Sequence, residues 1–369
     1  MTTGADPALV IQRKLIFITG ASRSGTTLLS FVLRNHPQVF GLKELQYFGQ
    51  AWDPRTSQRS FSRSSAIEAV ALVFARQERG ILAGRIEPED ERAATVFIDG
   101  LGAAASDPAV VFAAAVHKLA AAGGKSIPCE QTPRNIFYAQ ALLDLYPAAH
   151  IVHIVRDPRA VMASQKMRWQ LRQMAASGAA VSRYEAIRVW VNYHPYTITR
   201  LWSRATEAAL ALAAHPRMTV LRFEDLVQQP ESTVRELCTS LDLPYDAKML
   251  DVGQINSSHQ SSVGGARRGL HATAIDKWRQ VLSATEIATT ERACGPLMRR
   301  FGYESTATEP VGLPAELFQR LTYIAHLGGV LAINPRRAYI QAKALWLARS
   351  RPSTPPTNGK PAPQGDPSQ

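Results

Sequence analysis

Cysteine is scarce in this chain, whose 369 residues include only Cys129, Cys238 and Cys294. Three widely separated cysteines provide neither a disulfide framework nor the ligand spacing of a zinc site. Long apolar runs are also absent: no stretch approaches the roughly 20 residues of a membrane-spanning helix, and the amino terminus lacks the apolar core of a secretory signal. We therefore expect a cytoplasmic protein in a reducing environment, with peripheral contact at the inner membrane surface left open.

Acidic residues are few relative to basic ones. The chain has 42 Lys and Arg against 30 Asp and Glu, a net charge of +12, and the cations are spread without a long basic block. This excess suits an anionic cofactor, an anionic acceptor or a membrane surface. Because no nucleic-acid-binding motif accompanies it, we expect no nucleic acid partner. No cluster of His, Cys, Asp and Glu has the spacing of a metal site, so no metal is expected either.

The most informative segment is a glycine-rich loop. The apolar run 15–18 leads into Gly20-Ala-Ser-Arg-Ser-Gly-Thr-Thr27, and an amphipathic helix is predicted over 27–35. A strand, a glycine turn and a helix N-terminus together form a cradle of backbone N–H groups for phosphate. The two glycines have the spacing of a Walker loop, but Thr26 stands where that loop has lysine, and the cation is Arg23. The alternative is a tight turn without a ligand.

A second motif follows another buried-strand pattern. Residues 150–155 suit a central strand, and the run Arg156-Asp-Pro-Arg-Ala-Val-Met-Ala-Ser164 comes directly after it. In an open α/β sheet, ligands bind beyond the carboxyl ends of the strands. Arg156 and Ser164, about two helical turns apart, supply a guanidinium fork and a hydroxyl that suit a second phosphate. A local ion pair between Arg156 and Asp157, and an ordinary surface serine, are the alternatives.

Together these motifs resemble those of sulfotransferases that use 3′-phosphoadenosine 5′-phosphosulfate (PAPS). The resemblance is to the branch with protein-tyrosine sulfotransferases and bacterial enzymes that sulfate carbohydrates or small molecules. Residues 20–29 resemble their 5′-phosphosulfate loop, and residues 156–164 resemble their 3′-phosphate motif. Three further runs match in the family's order, within residues 14 to 305: Glu130–Asn135, Leu221–Leu226 and Trp278–Ser283.

The resemblance implies roles for individual residues. It implies that PAPS is held by Ser22, Arg23, Ser24, Gly25, Thr26, Thr27, Arg156, Ser164, Arg267 and Arg268. It implies that catalysis involves Glu44, Arg23, Gln131, Ser257 and Ser258. The product is then 3′-phosphoadenosine 5′-phosphate (PAP), whose 5′-phosphate is stabilised as it gains charge. No metal is required, because a sulfuryl group carries less charge than a γ-phosphoryl group.

The general base is assigned by position. Glu44 lies at the offset from the loop arginine where the tyrosine-sulfotransferase branch has its proposed base. A carboxylate in this role needs a pKa raised by burial. A surface glutamate paired with a neighbouring cation is the alternative. The histidines His259 and His271 are reserve candidates, whereas His36 and His153 suit structural roles.

One residue departs from the family pattern. Gln131 stands before Thr-Pro, where many relatives have a lysine that helps to neutralise the bridging oxygen. A glutamine donates a hydrogen bond but carries no charge. The candidates for supplying the missing charge are Arg23, Arg134 and Lys125. Without such a replacement, the chemical step is slower or the site is specialised.

Alternating strands and helices predict an α/β fold, with a P-loop-like, doubly wound parallel sheet flanked by helices. We expect a flexible lead at 1–13, a single main sulfotransferase domain at 14–305 and a helical C-terminal extension at 306–351. Residues 352–369 are expected to form a disordered, proline-rich tail. The extension has three candidate roles: packing on its own domain, pairing in a homodimer, or lying on a membrane surface.

The sequence thus predicts a PAPS-dependent sulfotransferase that moves a sulfuryl group by in-line transfer to a hydroxyl of a sugar, lipid or small metabolite. Two alternatives stay open. One is a P-loop kinase or NTPase, against which Thr26 at the Walker lysine position argues. The other is a non-catalytic PAP-binding protein of sulfotransferase descent. We expect residues 44–124 and 165–215 to form the acceptor pocket. The motifs do not identify the acceptor.

Overall fold

Five short parallel strands form one sheet in the computed structural model. In chain order they are β1 (Leu15–Gly20), β2 (Val39–Gly41), β3 (Ile127–Glu130), β4 (Ala149–Val155) and β5 (Met218–Arg222). Their order across the sheet is β2-β3-β1-β4-β5, and each neighbouring pair is parallel. The structure describes residues 7–56, 60–80, 85–167, 191, 193–252, 275–306, 313–335, 338–339, 342 and 346.

The α-helices connect these strands and extend beyond them. In chain order they are α1 (Thr26–Arg34), α2 (Arg63–Arg79), α3 (Pro88–Leu101), α4 (Pro108–Ala122), α5 (Ala139–Leu145), α6 (Pro158–Lys166), α7 (Pro195–Ala211), α8 (Phe223–Gln228), α9 (Pro230–Ser240), α10 (Trp278–Val281), α11 (Ala284–Arg300) and α12 (Leu313–Ile333). Short 3-10 helices lie at Pro7–Gln12, Gly102–Ser106, Pro133–Tyr138 and Ala247–Leu250. None of the helices in these described ranges is long and apolar enough to cross a membrane.

Alternating side chains of the central strand divide the core between the two faces of the sheet. Every residue of β1 and of β4 is buried. Leu15 and Phe17 belong to one hydrophobic cluster, whereas Ile16 and Ile18 belong to a second, as the two-residue repeat of a strand requires. Helices contribute to both clusters, so both faces of the sheet are covered. This arrangement confirms the doubly wound α/β fold.

Helix starts follow local signals in the sequence. Asp157 caps α6 by accepting a hydrogen bond from Arg159 N at 2.8 Å, and Pro158 occupies the first helical position. Ser283 and Glu286 form a capping box at the start of α11, with Ser283 N donating to Glu286 Oε2 at 2.8 Å. These caps fix where each helix begins and therefore which residues follow each strand.

The strand order creates a crevice between β1 and β4. The chain leaves β1 for the β2 side of the sheet, whereas it leaves β4 for β5 on the opposite side. Such a switch point opens a gap beyond the carboxyl ends of two neighbouring parallel strands, where ligands bind in folds of this kind. The glycine-rich loop after β1 and Arg156 after β4 therefore emerge side by side.

The structure differs locally from the sequence expectations. β2 is a strand that the sequence pattern does not predict, because its three residues are too few to show alternation. The connection between β3 and β4 consists of a 3-10 helix followed by α5. Residues 7–12, expected to be part of a flexible lead, form a 3-10 helix whose Val10 and Ile11 pack against the core. The domain division at 305 stays a prediction.

His153 makes the stability of the fold depend on pH. Its Nδ1 lies 3.0 Å from Thr19 Oγ1 inside the sheet, and burial lowers the pKa of His153 to about 3. The ring is therefore neutral in the folded protein at pH values where the unfolded chain, with a histidine pKa of about 6.5, takes up a proton. Burial of the neutral His153 ring therefore contributes fully to the free energy of unfolding above the unfolded-state pKa. That contribution is lost as the pH falls toward the folded-state pKa.

We expect His153→Gln to flatten the pH dependence of stability. Glutamine keeps a hydrogen-bonding side chain but does not titrate, so the variant should lose about 1.5 kcal/mol less than the wild type between about pH 6.5 and 5. Urea unfolding at both pH values measures the difference. His215→Gln, at a less buried ring, is the control and should change the slope less. An equal loss in His153→Gln and the wild type contradicts the assignment.

Candidate anion-binding active site

The loop between β1 and α1 has the geometry of an anion cradle. Arg23 and Gly25 adopt left-handed backbone conformations, with φ of 78° and 106°, and Ser24 N donates to Ala21 O at 3.0 Å. Gly25 is the N-cap of α1 and gives the first turn no side-chain hydrogen bond. The N–H groups of that turn, which have no intrahelical partner, are therefore available to an anion placed before the helix.

Two glycines let this loop lie directly against the neighbouring strands. A Cβ atom on Gly20 would lie 2.8 Å from the carbonyl oxygen of Ile154, and one on Gly25 would lie 2.5 Å from Cδ2 of Phe223. Both distances are shorter than van der Waals contact, so a side chain at either position would displace the loop. The glycine spacing thus reflects close packing as well as backbone conformation.

The loop hydroxyls are divided between core and solvent. Ser22 and Thr27 are exposed, whereas Ser24 and Thr26 are buried. Ser24 Oγ has no hydrogen-bond partner among the described residues. A buried hydroxyl in that state is uncommon, and a ligand bound in the cradle could supply the missing partner.

The two sequence motifs meet in the crevice. Nε of Arg23 donates to Oγ of Ser164 at 3.1 Å. One terminal amino group of Arg156 donates to the backbone oxygen of Arg23 at 3.2 Å. The loop cation, the second arginine and the helix serine therefore form one connected group at the carboxyl ends of β1 and β4.

Aromatic residues position Arg156. Trp202 Nε1 donates to Arg156 O at 2.8 Å, and the guanidinium lies 4.3 Å from the centre of the Phe223 ring. Burial lowers the pKa of Arg156, while the nearby carboxylates of Glu224 and Asp157 oppose that shift. An arginine remains charged in proteins, so the crevice keeps a fixed positive charge.

Asp157 forms an ion pair with the arginine two residues further along the chain. Asp157 Oδ2 lies 2.6 Å from the guanidinium of Arg159. Arg159 also pairs with Glu291 at 2.6 Å and lies 4.2 Å from the Trp278 ring centre. This buried network ties α6 to α10 and α11. Arg156 instead reaches the glycine-rich loop.

Glu130, at the carboxyl end of β3, is the centre of a buried polar cluster. It is 1% exposed. It accepts hydrogen bonds from Leu45 N at 3.0 Å, Thr132 N at 3.0 Å and Asn135 Nδ2 at 2.6 Å, and also from the Thr132 hydroxyl. Burial raises the pKa of Glu130 to about 7, and these hydrogen bonds partly oppose the shift. The sequence motifs assign Glu130 no role of its own, although an acidic residue at the end of a buried strand is a signal that indicates one.

This cluster fixes the segment that carries Glu44. The two residues after Glu44 donate their backbone N–H groups to Glu130 and to Thr132 Oγ1, at 3.0 and 2.9 Å. Glu44 is half-buried and acts on two neighbours. It adds to the raised pKa of Glu130, and it opposes the burial that lowers the pKa of Arg134 to about 10. The predicted base therefore lies beside a buried carboxyl group and a buried guanidinium.

Fewer cations can replace the lysine that many relatives have at the position of Gln131 than the sequence suggests. Gln131 Oε1 is buried and has no hydrogen-bond partner within the described ranges. Lys125 is a wrong candidate, because its Nζ donates to the carbonyl oxygens of His36 and Val39 at 3.0 and 2.8 Å, beyond the end of α1 and away from the crevice. Lys125 instead satisfies carbonyls at the negative end of α1. Arg134 remains as a nearby cation, together with Arg23.

Some predicted residues lie outside the described part of the chain: Ser257, Ser258, Arg267, Arg268, His259 and His271. The other two histidines have structural surroundings. His36 is fully buried, with Nε2 3.0 Å from the backbone oxygen of Pro244, and His153 is buried within the sheet. Across the described ranges, no group of His, Cys, Asp and Glu could hold a metal ion.

The parallel α/β sheet places a glycine-rich turn, which lacks the Walker lysine, beside a second cationic position. This arrangement defines a class of α/β proteins suited to anionic ligands. Comparison with known families narrows this class. Residues 16–247 match the model of the sulfotransferase family. The chain belongs to that family, as the motifs predict.

Similar proteins include sulfotransferases named for carbohydrates and sulfotransferases named for protein tyrosine. The nodulation protein NoeE of Sinorhizobium fredii is 26% identical over 79% of this chain and 66% of its own length, so the chain spans about two thirds of NoeE. Carbohydrate sulfotransferase 5 of Mus musculus is 23% identical, over 83% of this chain and 84% of that protein. Protein-tyrosine sulfotransferase A of Caenorhabditis elegans is 23% identical, over 85% and 74%. Among solved structures, a sulfotransferase domain from the curacin biosynthetic pathway is 19% identical, with a TM-score of 0.48, over 80% of this chain and 99% of that domain.

We expect Glu130→Gln to lower the free energy of unfolding by about 1–3 kcal/mol. An amide replaces one acceptor oxygen with an NH₂ group, which then faces N–H donors in a buried space. Glu207→Gln, at an exposed pair with Arg204, is the matched control and should be nearly neutral. Urea unfolding compares them. A Glu130→Gln protein as stable as the wild type contradicts the structural role of the cluster.

Proposed function

We propose that this protein is a PAPS-dependent sulfotransferase that transfers a sulfuryl group to a hydroxyl of a sugar, a lipid or a small metabolite. Family membership supports the sulfotransferase activity. The observation that supports PAPS is the meeting of Arg23, Arg156 and Ser164 in one crevice. PAPS carries a 5′-phosphosulfate and a 3′-phosphate on one nucleoside, so it requires two neighbouring anion positions.

The crevice residues fit such a ligand. The first anion position is the start of α1, where Gly25 leaves the first turn without a side-chain cap and Ser24 Oγ is buried without a described partner. The second is formed by Arg156 and Ser164, a guanidinium and a hydroxyl. Arg23 joins the two, since its backbone oxygen contacts Arg156 and its side chain contacts Ser164. We assign the 5′-phosphosulfate to the first position and the 3′-phosphate to the second.

The loop residues stabilise charge on the leaving group. When bound, PAPS supplies the sulfuryl group and a 5′-phosphate that gains negative charge as the sulfur–oxygen bond breaks. The first-turn N–H groups of α1, the Arg23 guanidinium and the hydroxyls of Thr26 and Thr27 are the donors for that charge. Donors held in place by the fold need no reorganisation during the reaction. The backbone N–H groups, whose geometry the fold fixes, are the main contribution of the loop to catalysis.

Glu44 is the group that accepts the proton of the acceptor hydroxyl. A general base must be held within hydrogen-bond reach of the proton it removes, and the backbone after Glu44 is tied to Glu130 and Thr132. Glu130 itself is 1% exposed and occupied by its donors, so it positions the base and does not contact the acceptor. Arg134, close to Glu44, offsets the charge of the two carboxyl groups.

The acceptor class is inferred from chemistry shared by the similar proteins. Two of them are named for carbohydrate and protein-tyrosine sulfation, and both kinds of acceptor present a hydroxyl. A carboxylate base suits a hydroxyl acceptor, because the oxygen must lose its proton as the sulfuryl group is transferred. Sugars, lipids and small metabolites with hydroxyl groups are therefore the proposed acceptors.

We expect PAP to raise the melting temperature more than ATP or adenosine 5′-phosphate does, since only PAP carries both a 5′- and a 3′-phosphate. Arg156→Ala should weaken PAP binding about tenfold or more, as loss of a charged hydrogen bond implies, and Ser164→Ala should weaken it less. Thermal shift and isothermal titration calorimetry measure these effects.

Arg235→Ala is the matched control for the arginine change, because Arg235 pairs with Glu231 on the surface of α9. Its PAP affinity should equal that of the wild type. Since Arg156 is buried, the folding of each variant is checked by circular dichroism, and Ser164→Ala, at a half-buried side chain, gives an independent reading of PAP affinity. Equal stabilisation by ATP and PAP would contradict the 3′-phosphate assignment and favour a P-loop NTPase.

We expect Glu44→Gln to lower turnover by roughly 10²-fold or more while PAP affinity stays nearly unchanged. Transfer of labelled sulfate from PAPS to hydroxyl compounds in a cell extract measures turnover. Near-normal turnover in this variant would move the base to His259 or His271. PAP binding without transfer by the wild type to any compound would indicate the non-catalytic alternative.

Gln131→Lys is the companion variant. It restores a cation near the bridging oxygen in a space where the Oε1 atom of Gln131 has no described partner. We expect PAP affinity to be maintained and turnover to rise if the site lacks a needed charge. A large loss of PAP affinity would show that the pocket is built around the neutral amide.

A further inference from the structure

The C-terminal helix α12 packs on the domain through its polar side. His326 Nε2 lies 3.2 Å from Thr197 Oγ1 on α7. Gln319 Oε1 accepts a hydrogen bond from Thr289 Oγ1 of α11 at 2.6 Å. Of the three roles expected for the C-terminal extension, packing on the domain is therefore observed for one side of this helix.

The opposite side of α12 is apolar. From 317 to 333, every described residue that is exposed is apolar or glycine: Leu317, Phe318, Leu321, Ile324, Ala325, Leu327, Gly328, Leu331 and Ala332. The six large side chains among them are 43% to 69% exposed. We call these nine residues the outer face of α12. A helix on a water-facing surface normally shows the reverse arrangement, with its apolar stripe buried, and a contiguous exposed apolar patch marks an interaction surface.

The sequence after α12 indicates the chemistry of the partner. Residues 334–351 contain the cations Arg336, Arg337, Lys343, Arg349 and Arg351 and no Asp or Glu. Tyr339 and Trp346 in the same stretch are 66% and 63% exposed. Apolar side chains next to cations and to tyrosine and tryptophan are the combination that binds an anionic lipid surface. A second copy of this chain also carries a charge of +12, so pairing through this region would bring like charges together.

We propose that the outer face of α12 binds an anionic lipid surface. Its apolar side chains enter the boundary between headgroups and acyl chains, and the cations that follow in sequence attract anionic headgroups. Because the polar side of α12 stays packed on α7 and α11, the helix contacts lipid along one side only. The sulfotransferase domain is then held next to the membrane. This inference rests on α12 and on the basic sequence that follows it, and it does not depend on the proposed donor or base.

The test uses the full chain and vesicles of phosphatidylcholine alone or mixed with phosphatidylglycerol, in a co-sedimentation assay. We expect binding to the mixed vesicles, weakened by salt because part of the attraction is electrostatic. Leu321→Gln with Ile324→Gln should lower the apparent affinity about tenfold or more. Val96→Gln, at a side chain 75% exposed on α3, is the matched control and should bind as the wild type does. Both altered side chains of α12 are exposed, so the melting temperature should not fall.

Arg336→Gln with Arg337→Gln separates the electrostatic part of the binding. We expect it to weaken binding to mixed vesicles and to reduce the salt dependence. Absence of vesicle binding by the wild type overturns the proposal. Equal binding by the Leu321→Gln, Ile324→Gln protein overturns it as well. Light scattering that shows a dimer in solution, dissociated by the same double change, would assign the outer face to a second copy instead.

Discussion

Close contact of the glycine-rich loop with β4 and with the start of α8 is the constraint on which the site depends. Gly20 lies against the Ile154 carbonyl and Gly25 against the Phe223 ring, at distances that leave no room for a side chain. This approach brings the backbone of Arg23 to Arg156 and its side chain to Ser164. The two proposed anion positions are neighbours because the loop packs closely at the β1–β4 crevice, so the proposed nucleotide selectivity depends on backbone packing.

The other half of the site depends on a buried carboxyl group. Glu130 ends β3, on the opposite side of β1 from β4, and holds the backbone that carries Glu44 through a hydrogen bond from Leu45 N. The proposed anion positions therefore lie on the β4 side of β1, and the proposed base lies on its β3 side. In the proposed reaction, this placement puts the leaving group between the donors of the central loop and a carboxylate. The order of these three strands then sets the arrangement of the proposed donors and base.

Sequence reasoning predicts those parts of the fold and site whose signals are local. The strand, glycine turn and helix around Arg23, and the strand followed by Arg156, stand in short contiguous runs. The role of Glu130 is not local, since its partner Leu45 is 85 residues away. For Lys125, nearness in sequence is misleading. It lies a few residues before the Glu130–Asn135 run, but in the fold it lies beyond the C-terminal end of α1. Periodicity in α12 indicates which residues share a side, but only the packing shows that the polar side faces the protein.

The most direct test of this account is a crystal structure of the protein with PAP. The account predicts the 5′-phosphate on the first-turn N–H groups of α1 and the 3′-phosphate within hydrogen-bond distance of both Arg156 and Ser164. It also predicts that the Arg23 side chain, whose Nε lies 3.1 Å from Ser164 Oγ, moves away from Ser164 to reach the 5′-phosphate. A complex in which one phosphate occupies the loop while Arg156 and Ser164 contact no part of the nucleotide would contradict it.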